Sequence, residues 1–298
     1  MREQLQNLLE QRVQQCVSQA RSQLLYECQV IERKKECCAR RNAEIVKTTA
    51  HGQITGQREG EEATEVFYTA HFQYLVKQKS EFFLEETVER RKAEFYKGIL
   101  VDDEDISFRH LNSKEIGQTE GEAPRELEDG PEERVGFQYN RLKAVQYAER
   151  WWNDHNPAYK SFEVDCTNYI SQCLNTGGAP MIGYPGRTKG WWMRSNNWSY
   201  SWSVANSLRL YLPRAKTGVR AKEVSEAGQL LPGDVICYDF QGDGRFDHTT
   251  IVTAKDANGM PLVNAHTANS RRRYWAYEDS TAYTPNIKYR FLTIVDDQ

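Results

Sequence analysis

Apolar residues recur three or four positions apart from Met1 to about Arg41, with charged residues between them. This spacing aligns them along one face of a helix. The apolar stripe consists of Leu5, Leu9, Val13, Cys16, Ala20, Leu24, Cys28 and Ile31. The pattern predicts one long amphipathic helix that packs on its own domain, and a coiled-coil partner face is the alternative.

The hydrophobic period then shortens to two. Segment 42–55 is rich in β-branched residues, and segment 64–77 alternates apolar with polar positions. The apolar side of the second segment consists of Val66, Tyr68, Ala70, Phe72, Tyr74 and Val76. Segment 82–100 has charges that resemble a helix, but the hairpin connection at 77–80 favours a third strand in it. Residues 1–110 are therefore predicted to form a small α+β domain, in which the long helix covers a β-meander.

A polar, acidic stretch rich in Gly and Pro follows at 111–136 and predicts a linker. The pattern in 137–298 predicts a second domain with three helices and then strands. Asn140 is a candidate N-cap for the first helix, which ends before Pro157. The second helix runs from Cys166 to about Gly177, and the third covers about 203–212. Strands begin after Leu230.

Composition narrows the functional classes. The chain has 298 residues, 39% of them hydrophobic, and a formal charge of −3. These values indicate folded cores and argue against nucleic acid or an anionic membrane as the main partner. The seven cysteines show no spaced framework and predict free thiols. No stretch has the pattern of a signal peptide or membrane span, so we expect a cytoplasmic protein. The sequence leaves the oligomeric state open.

Three residues have the chemistry of a thiol amidase. Cys166 opens a predicted helix with Asp165 as its N-cap, where the helix dipole stabilises a thiolate. His248 stands at the start of a strand. His266 ends the following strand, with Asn264 two residues earlier on the same face. A nucleophile, a base and a group that fixes the tautomer of the base are what such an enzyme requires.

Four motifs resemble the putative amidase domain family of Gram-positive bacteria, which is related to the NlpC-type and CHAP-type cell-wall amidases. The motifs are Asp165-Cys166-Thr167-Asn168-Tyr169-Ile170-Ser171-Gln172-Cys173, Pro232-Gly233-Asp234-Val235, Asp247-His248-Thr249 and Ala265-His266-Thr267. The similarity covers about Tyr139 to Ile294. It implies a papain-like fold, with the helix that carries the cysteine packed on an antiparallel sheet.

The resemblance also implies a reaction, namely hydrolysis of an amide or peptide bond through a thioester. Cys166 would attack the carbonyl, His248 would transfer protons, and His266 would orient His248, with Asn264 and Asn269 as competitors for that role. The oxyanion would be held by the Cys166 backbone N–H and by Tyr139 or Asn168. Relatives suggest peptide-type substrates such as cell-wall peptides, or small amides.

Other signals leave alternatives open. Trp191, Trp192 and Trp198 either stack on substrate or fill the core. The loop containing Asp239, Gln241, Asp243, Gly244 and Asp247 follows half of a calcium motif, but a tight turn is the stronger interpretation.

Zinc bound by Cys166, His248 and His266 lacks a supporting Cys-x-x-Cys pair. We therefore expect neither a metal nor a cofactor. Two functional alternatives to hydrolysis remain, a non-catalytic interaction module and an acyltransferase.

Overall fold

The computed structural model describes residues 1–17, 28–109 and 136–297. The chain divides into two compact units. The first unit comprises Met1–Arg109 and Ala268–Tyr283, and the second comprises His110–Thr267 and Thr284–Gln298. The predicted linker at 111–136 lies outside the described residues except for its last position.

The first unit has two helices followed by a meander of long strands. In chain order these are α1 (Arg2–Val17), α2 (Gln29–Arg40), β1 (Ala43–Glu59), β2 (Ala63–Gln78), β3 (Glu81–Tyr96) and β4 (Ile99–Asp105). Each strand pairs antiparallel with the next. The alternating apolar residues of β2, from Val66 to Val76, are all buried. This confirms the predicted strand, because a period of two places them on the face that the helices cover.

The prediction of a single helix to Arg41 is wrong. Gln15 Oε1 accepts a hydrogen bond from the Cys28 backbone N–H at 3.1 Å, and Gln15 Nε2 donates to Glu32. In a continuous helix these thirteen intervening steps would separate residues 15 and 28 by about 20 Å. Helices α1 and α2 are therefore two separate helices, and Ala20 and Leu24 of the predicted stripe lie outside the described residues. The hydrophobic period did not reveal the break, because α1 and α2 each have a buried face with the same helical spacing.

The second unit is also mixed, with helices before most of its strands. The helices are α3 (Arg141–Trp151), α4 (Cys166–Thr176), α5 (Tyr200–Ser203) and α6 (Ala205–Tyr211). Its strands are β5 (Met193–Arg194), β6 (Asn197–Trp198), β7 (Arg220–Val224), β8 (Val235–Asp239), β9 (His248–Lys255), β10 (Pro261–Ala265) and β12 (Lys288–Val295). Its main sheet is antiparallel in the order β10-β9-β8-β12-β7. Strand β11 (Ser270–Tyr274) belongs to the first unit.

Local sequence signals explain the two helices that lead to the site. Asn140 caps α3, since its side-chain oxygen accepts a hydrogen bond from the Lys143 N–H at 2.9 Å. Helix α4 ends at Thr176 with Gly177 as its C-cap, where an added Cβ would lie 2.4 Å from the Tyr139 ring. Residues Cys166 to Leu174 of α4 are all buried, and its apolar side packs with Val235, Cys237 and Ile251 of the sheet.

Segment Ala268–Tyr283 departs from the expected domain division. The sequence assigned it to the second domain, but it belongs to the first unit. Within that unit, β11 pairs antiparallel with β3 through Ser270 and Thr87. Strand pairing between distant segments has no local sequence signal, because the backbone groups of any strand edge can form the hydrogen bonds.

The fold class is α+β, dominated by antiparallel sheet. All seven cysteines are free thiols. None of the described helices is both long enough and apolar enough to cross a membrane.

Candidate active site

Cys166 is the first residue of α4, as its N-cap signal predicted. Its side chain is buried, with only 2% of the residue exposed. The Sγ atom lies 3.7 Å from Thr167 Oγ1 and also contacts the backbone N–H and hydroxyl of Thr249. Burial raises the pKa of the Cys166 thiol above its usual value, and the hydrogen bonds from the threonines lower it by less. Burial therefore opposes the thiolate that the position at a helix N-terminus predicts.

The start of α4 is fixed by a threonine from a distant part of the chain. Thr267 Oγ1 accepts hydrogen bonds from the backbone N–H groups of Asp165 at 3.1 Å and Cys166 at 3.2 Å. Asp165 occupies the N-cap position, but its side chain makes no capping bond. The Cys166 N–H, the predicted oxyanion donor, is thus already bound. A substrate oxygen would have to replace the Thr267 hydroxyl to use it.

His266 lies beside Asp165. Its Nδ1 atom is 2.9 Å from Asp165 Oδ2, and its Nε2 atom is 2.7 Å from the Trp151 carbonyl oxygen. Its ring stacks on Tyr169 with the ring centroids 4.0 Å apart. Both ring nitrogens are therefore engaged, and neither is left to orient His248. The orienting role of His266 remains a prediction, and these two bonds would have to change for it.

The two asparagines proposed as competitors lie in different units. Asn264 is held by Thr253, which donates to its Oδ1 at 2.9 Å, and by Glu149, which accepts from its Nδ2 at 3.2 Å. Asn269 belongs to the first unit, where its carbonyl accepts from the Val88 N–H. Asn264 therefore belongs to the hydrogen-bond network between β9, β10 and α3.

His248 is the first residue of β9 and is fully buried. Its ring contacts Tyr238, its cross-strand partner on β8, at 5.7 Å between centroids. Thr249 faces α4 instead, with its hydroxyl 3.1 Å from that of Thr167. Because side chains alternate along a strand, the His248 ring points to the opposite sheet face. The structure brings the Cys166 sulfur to the residue after His248, and the strand pleat separates the sulfur from the imidazole.

The other predicted oxyanion donors are bound elsewhere. The Tyr139 hydroxyl donates to the Gly233 carbonyl at 2.8 Å, and burial raises its pKa well above the usual value. Asn168 Nδ2 donates to Lys160 and Asp165, and its Oδ1 accepts from Trp202 Nε1 at 2.8 Å. Both side chains act as structural supports in this arrangement, and their oxyanion roles remain predictions. Asn168 supports the site by orienting the Asp165 carboxylate.

Two of the three tryptophans proposed for substrate binding are core residues. Trp191 is fully buried, with its Nε1 donating to Ser171 Oγ, and Trp192 is 1% exposed. They are corrected to core packing, which was the alternative interpretation of the cluster. Trp198 is partly exposed and lies under two cations, with Lys160 Nζ at 4.8 Å and Arg187 at 5.2 Å from its ring centroid. Only Trp198 remains accessible to a substrate.

The acidic loop before His248 is a tight turn. Asp239 Oδ1 accepts from the N–H groups of Gly242 and Asp243, and its Oδ2 accepts from Gly244. The carboxylate therefore closes the loop on its own backbone, which favours the turn over calcium. Burial raises the pKa of Asp247 to about 7, and the nearby Asp243 and Asp239 add to the shift.

Sequence reasoning missed two residues of this region. Thr267 holds the start of α4, and the only signal was its place beside His266 in the Ala265-His266-Thr267 motif. His155 lies near Asp165, with Nδ1 3.5 Å from Asp165 Oδ2. It follows α3 in an irregular segment, and no local pattern distinguished it from a surface histidine.

A helix that presents a cysteine to an antiparallel sheet, with a histidine at the head of the adjacent strand, is compatible with several hydrolase classes. Sequence comparison identifies the class: the chain belongs to the family described as "Putative amidase domain", whose model matches residues 138–292, just over half of the chain. Membership suggests amidase activity and therefore a hydrolase.

The relatives extend this similarity beyond the second unit. The chain is 52% identical over 274 residues to the uncharacterized protein YhbB of Bacillus subtilis (strain 168), covering 90% of this chain and 86% of YhbB. It is 33% identical over 140 residues to the uncharacterized protein YjcM of the same strain, covering 44% of this chain and 31% of YjcM. No solved structure matches.

Proposed function

We propose that the second unit hydrolyses an amide or peptide bond with Cys166 as the nucleophile, on a papain-like arrangement of helix and sheet. The observation that carries the proposal is the position of Cys166 at the N-terminus of α4, with its sulfur against Thr249, the residue after His248. In this mechanism Cys166 Sγ attacks the carbonyl and forms a thioester, and water releases the acid.

His248 is the proposed base, since it is one residue from the backbone contact of the sulfur. It takes the thiol proton and later delivers it to the leaving amine. Its ring faces Tyr238 in this conformation, so catalysis requires the head of β9 to turn the imidazole towards Cys166. Substrate entry must also displace the Thr267 hydroxyl from the Cys166 N–H. Because both changes accompany substrate binding, we expect the Cys166 thiol to be unreactive until substrate binds.

The partly exposed surface beside α4 supports a peptide-type substrate. Trp198 packs edge-on against Phe162 with centroids 4.8 Å apart, and Lys160 and Arg187 lie over its ring. Phe162 is tied to the site, since its N–H donates to Asp165 Oδ1. An aromatic platform flanked by cations suits a peptide or small amide that carries a carboxylate.

The test is turnover of muropeptides and of small carboxylated amides, followed by mass spectrometry of the products. Wild type is expected to release free acid and amine, and Cys166→Ala and His248→Ala are expected to abolish release. Cys173→Ala, at a fully buried cysteine of the same helix, controls for structural loss. Turnover by Cys166→Ala at the wild-type rate would disprove the assignment of Cys166 as the nucleophile. Transfer to an added amine in place of water would identify an acyltransferase.

A non-catalytic interaction module is the second candidate, and one observation favours it. Cys166 is buried with a raised pKa, and its N–H is occupied by Thr267. A site that never opens would use the surface around Trp198 for binding alone. Intact mass after treatment with an amide-mimicking warhead separates the two: an adduct on Cys166 supports the enzyme, and its absence supports the module.

A further inference from the structure

Three metal-ligating side chains converge beside the start of α4, outside the proposed Cys166–His248 pair. They are His155, Asp165 and His266, and their donor atoms all lie within 4.8 Å of one another. His266 Nδ1 is 2.9 Å and His155 Nδ1 is 3.5 Å from Asp165 Oδ2. Four-coordinate zinc with bonds of about 2.0–2.1 Å separates its ligand atoms by about 3.3 Å. The two measured distances lie on either side of that value.

The hydrogen bonds of His266 leave one nitrogen suited to a cation. Its Nε2 atom is 2.7 Å from the Trp151 carbonyl, which can only accept, so Nε2 carries the hydrogen. In a neutral imidazole the Nδ1 lone pair then faces Asp165 Oδ2, which is also an acceptor. The Nδ1 lone pair and the Asp165 carboxylate repel each other at 2.9 Å unless a positive charge lies between or beside them. Metal-binding histidines commonly donate their second nitrogen to a backbone carbonyl in this way.

Asp165 is oriented as a ligand would be. Its Oδ1 accepts from the Phe162 N–H at 2.9 Å and from Asn168 Nδ2 at 2.8 Å. Asn168 is held in turn by Trp202 Nε1. These bonds fix the carboxylate plane and direct Oδ2 towards the two histidines. The supporting shell is buried, with Asp165 3% exposed and Asn168 fully buried.

We propose that His155 Nδ1, Asp165 Oδ2 and His266 Nδ1 bind one divalent transition-metal cation, with zinc the best match. Imidazole donors favour zinc over calcium or magnesium, which prefer oxygen ligands. The His155 side chain is 52% exposed, so the side of the site opposite His266 is open to water. The protein supplies three ligands and leaves a fourth position for water or a substrate atom. The proposed cation site does not require Cys166 to be a nucleophile, although its ligand Asp165 directly precedes Cys166 in the chain.

The test is titration of the full chain with Co²⁺ as a spectroscopic substitute, followed by competition with Zn²⁺. We expect one equivalent of Co²⁺ to bind with visible bands of nitrogen and oxygen ligation, and one equivalent of Zn²⁺ to displace it. A thiolate charge-transfer band would instead place the cation on the cysteines and overturn the proposal.

Variants test the ligand set. His155→Ala removes an exposed ligand without disturbing the core and is expected to weaken Co²⁺ binding by about tenfold or more. His51→Ala is the matched control, because His51 is an exposed histidine of β1 and should leave binding unchanged. Unchanged binding in His155→Ala would overturn the site. Absence of Co²⁺ binding in wild type would do so as well.

Discussion

Thr267 is the residue at which the start of the cysteine helix can be tested most directly. Its hydroxyl is the acceptor for two backbone N–H groups, those of Asp165 and Cys166. Thr267→Val keeps the shape and β-branching of the side chain, and therefore the backbone strain at φ 81°. The substitution replaces the hydroxyl with a methyl group and so removes the oxygen that accepts the two hydrogen bonds. Thr267→Ser is the matched control because it retains the oxygen.

The expected loss follows from the two bonds. A partly buried N–H without a partner costs about 1 kcal/mol at the lower end of the usual range, so Thr267→Val should lower the free energy of unfolding by about 2 kcal/mol. Loss of a helix N-cap costs a similar amount. For a unit of this size the melting temperature should fall by about 4–8 °C.

Tryptophan fluorescence during urea unfolding is the suitable assay. Six of the seven tryptophans, all except Trp275, lie in the second unit, so the signal reports mainly on it. The midpoint should shift while the urea dependence stays constant, since the exposed surface does not change. A loss below about 0.5 kcal/mol relative to Thr267→Ser, which is the scatter of ordinary surface substitutions, would refute the assignment of Thr267 as the cap of α4.

Three further predictions concern the same unit. Because burial raises the pKa of Cys166, its alkylation by iodoacetamide without substrate should remain slow at pH 7 and accelerate above about pH 9; a rate that is already maximal at pH 7 would contradict the burial argument. Asp247 has a folded-state pKa of about 7 against about 3.9 when unfolded, so the folded state holds its proton more tightly and stability falls as pH rises through 7. Asp247→Asn should therefore stabilise the protein at pH 8 by about 1–3 kcal/mol and have little effect at pH 4, and equal effects at both pH values would disprove the shift. Trp191→Ala should destabilise the protein by about 3–5 kcal/mol, whereas Trp198→Ala should change stability little and weaken substrate binding; the reverse order would exchange their roles.

Local signals were reliable where one side chain or one periodic face decides the outcome. Asn140 caps α3 because its oxygen reaches the N–H three residues later, a contact set by the helix itself. The β2 alternation gave the buried face because the pleat repeats every two residues. The helical spacing after Cys166 also predicted the start of α4, although Asp165 makes no capping bond and the distant Thr267 holds that start.

Prediction failed where partners come from distant parts of the chain. The return of α2 onto α1 depends on Gln15 and Cys28, and the pairing of β11 with β3 joins positions far apart. The hydrogen-bond partners of His266 were missed for the same reason. His266 lies on a suitable strand end, but its partners Asp165 and Trp151 approach from two helices that precede it by about a hundred residues.

The sequence by itself determined the α+β class, the helix that begins at Cys166 and the family to which the motifs belong, because periodicity, capping and short motifs act within a few residues. Tertiary structure decided how those residues are used. Burial raises the pKa of Cys166 although the residue stands at a helix start. The strand pleat sets the direction of His248, and the approach of Trp151 and Asp165 sets that of His266. Desolvation and long-range hydrogen bonding depend on the whole packed chain, which no local pattern encodes.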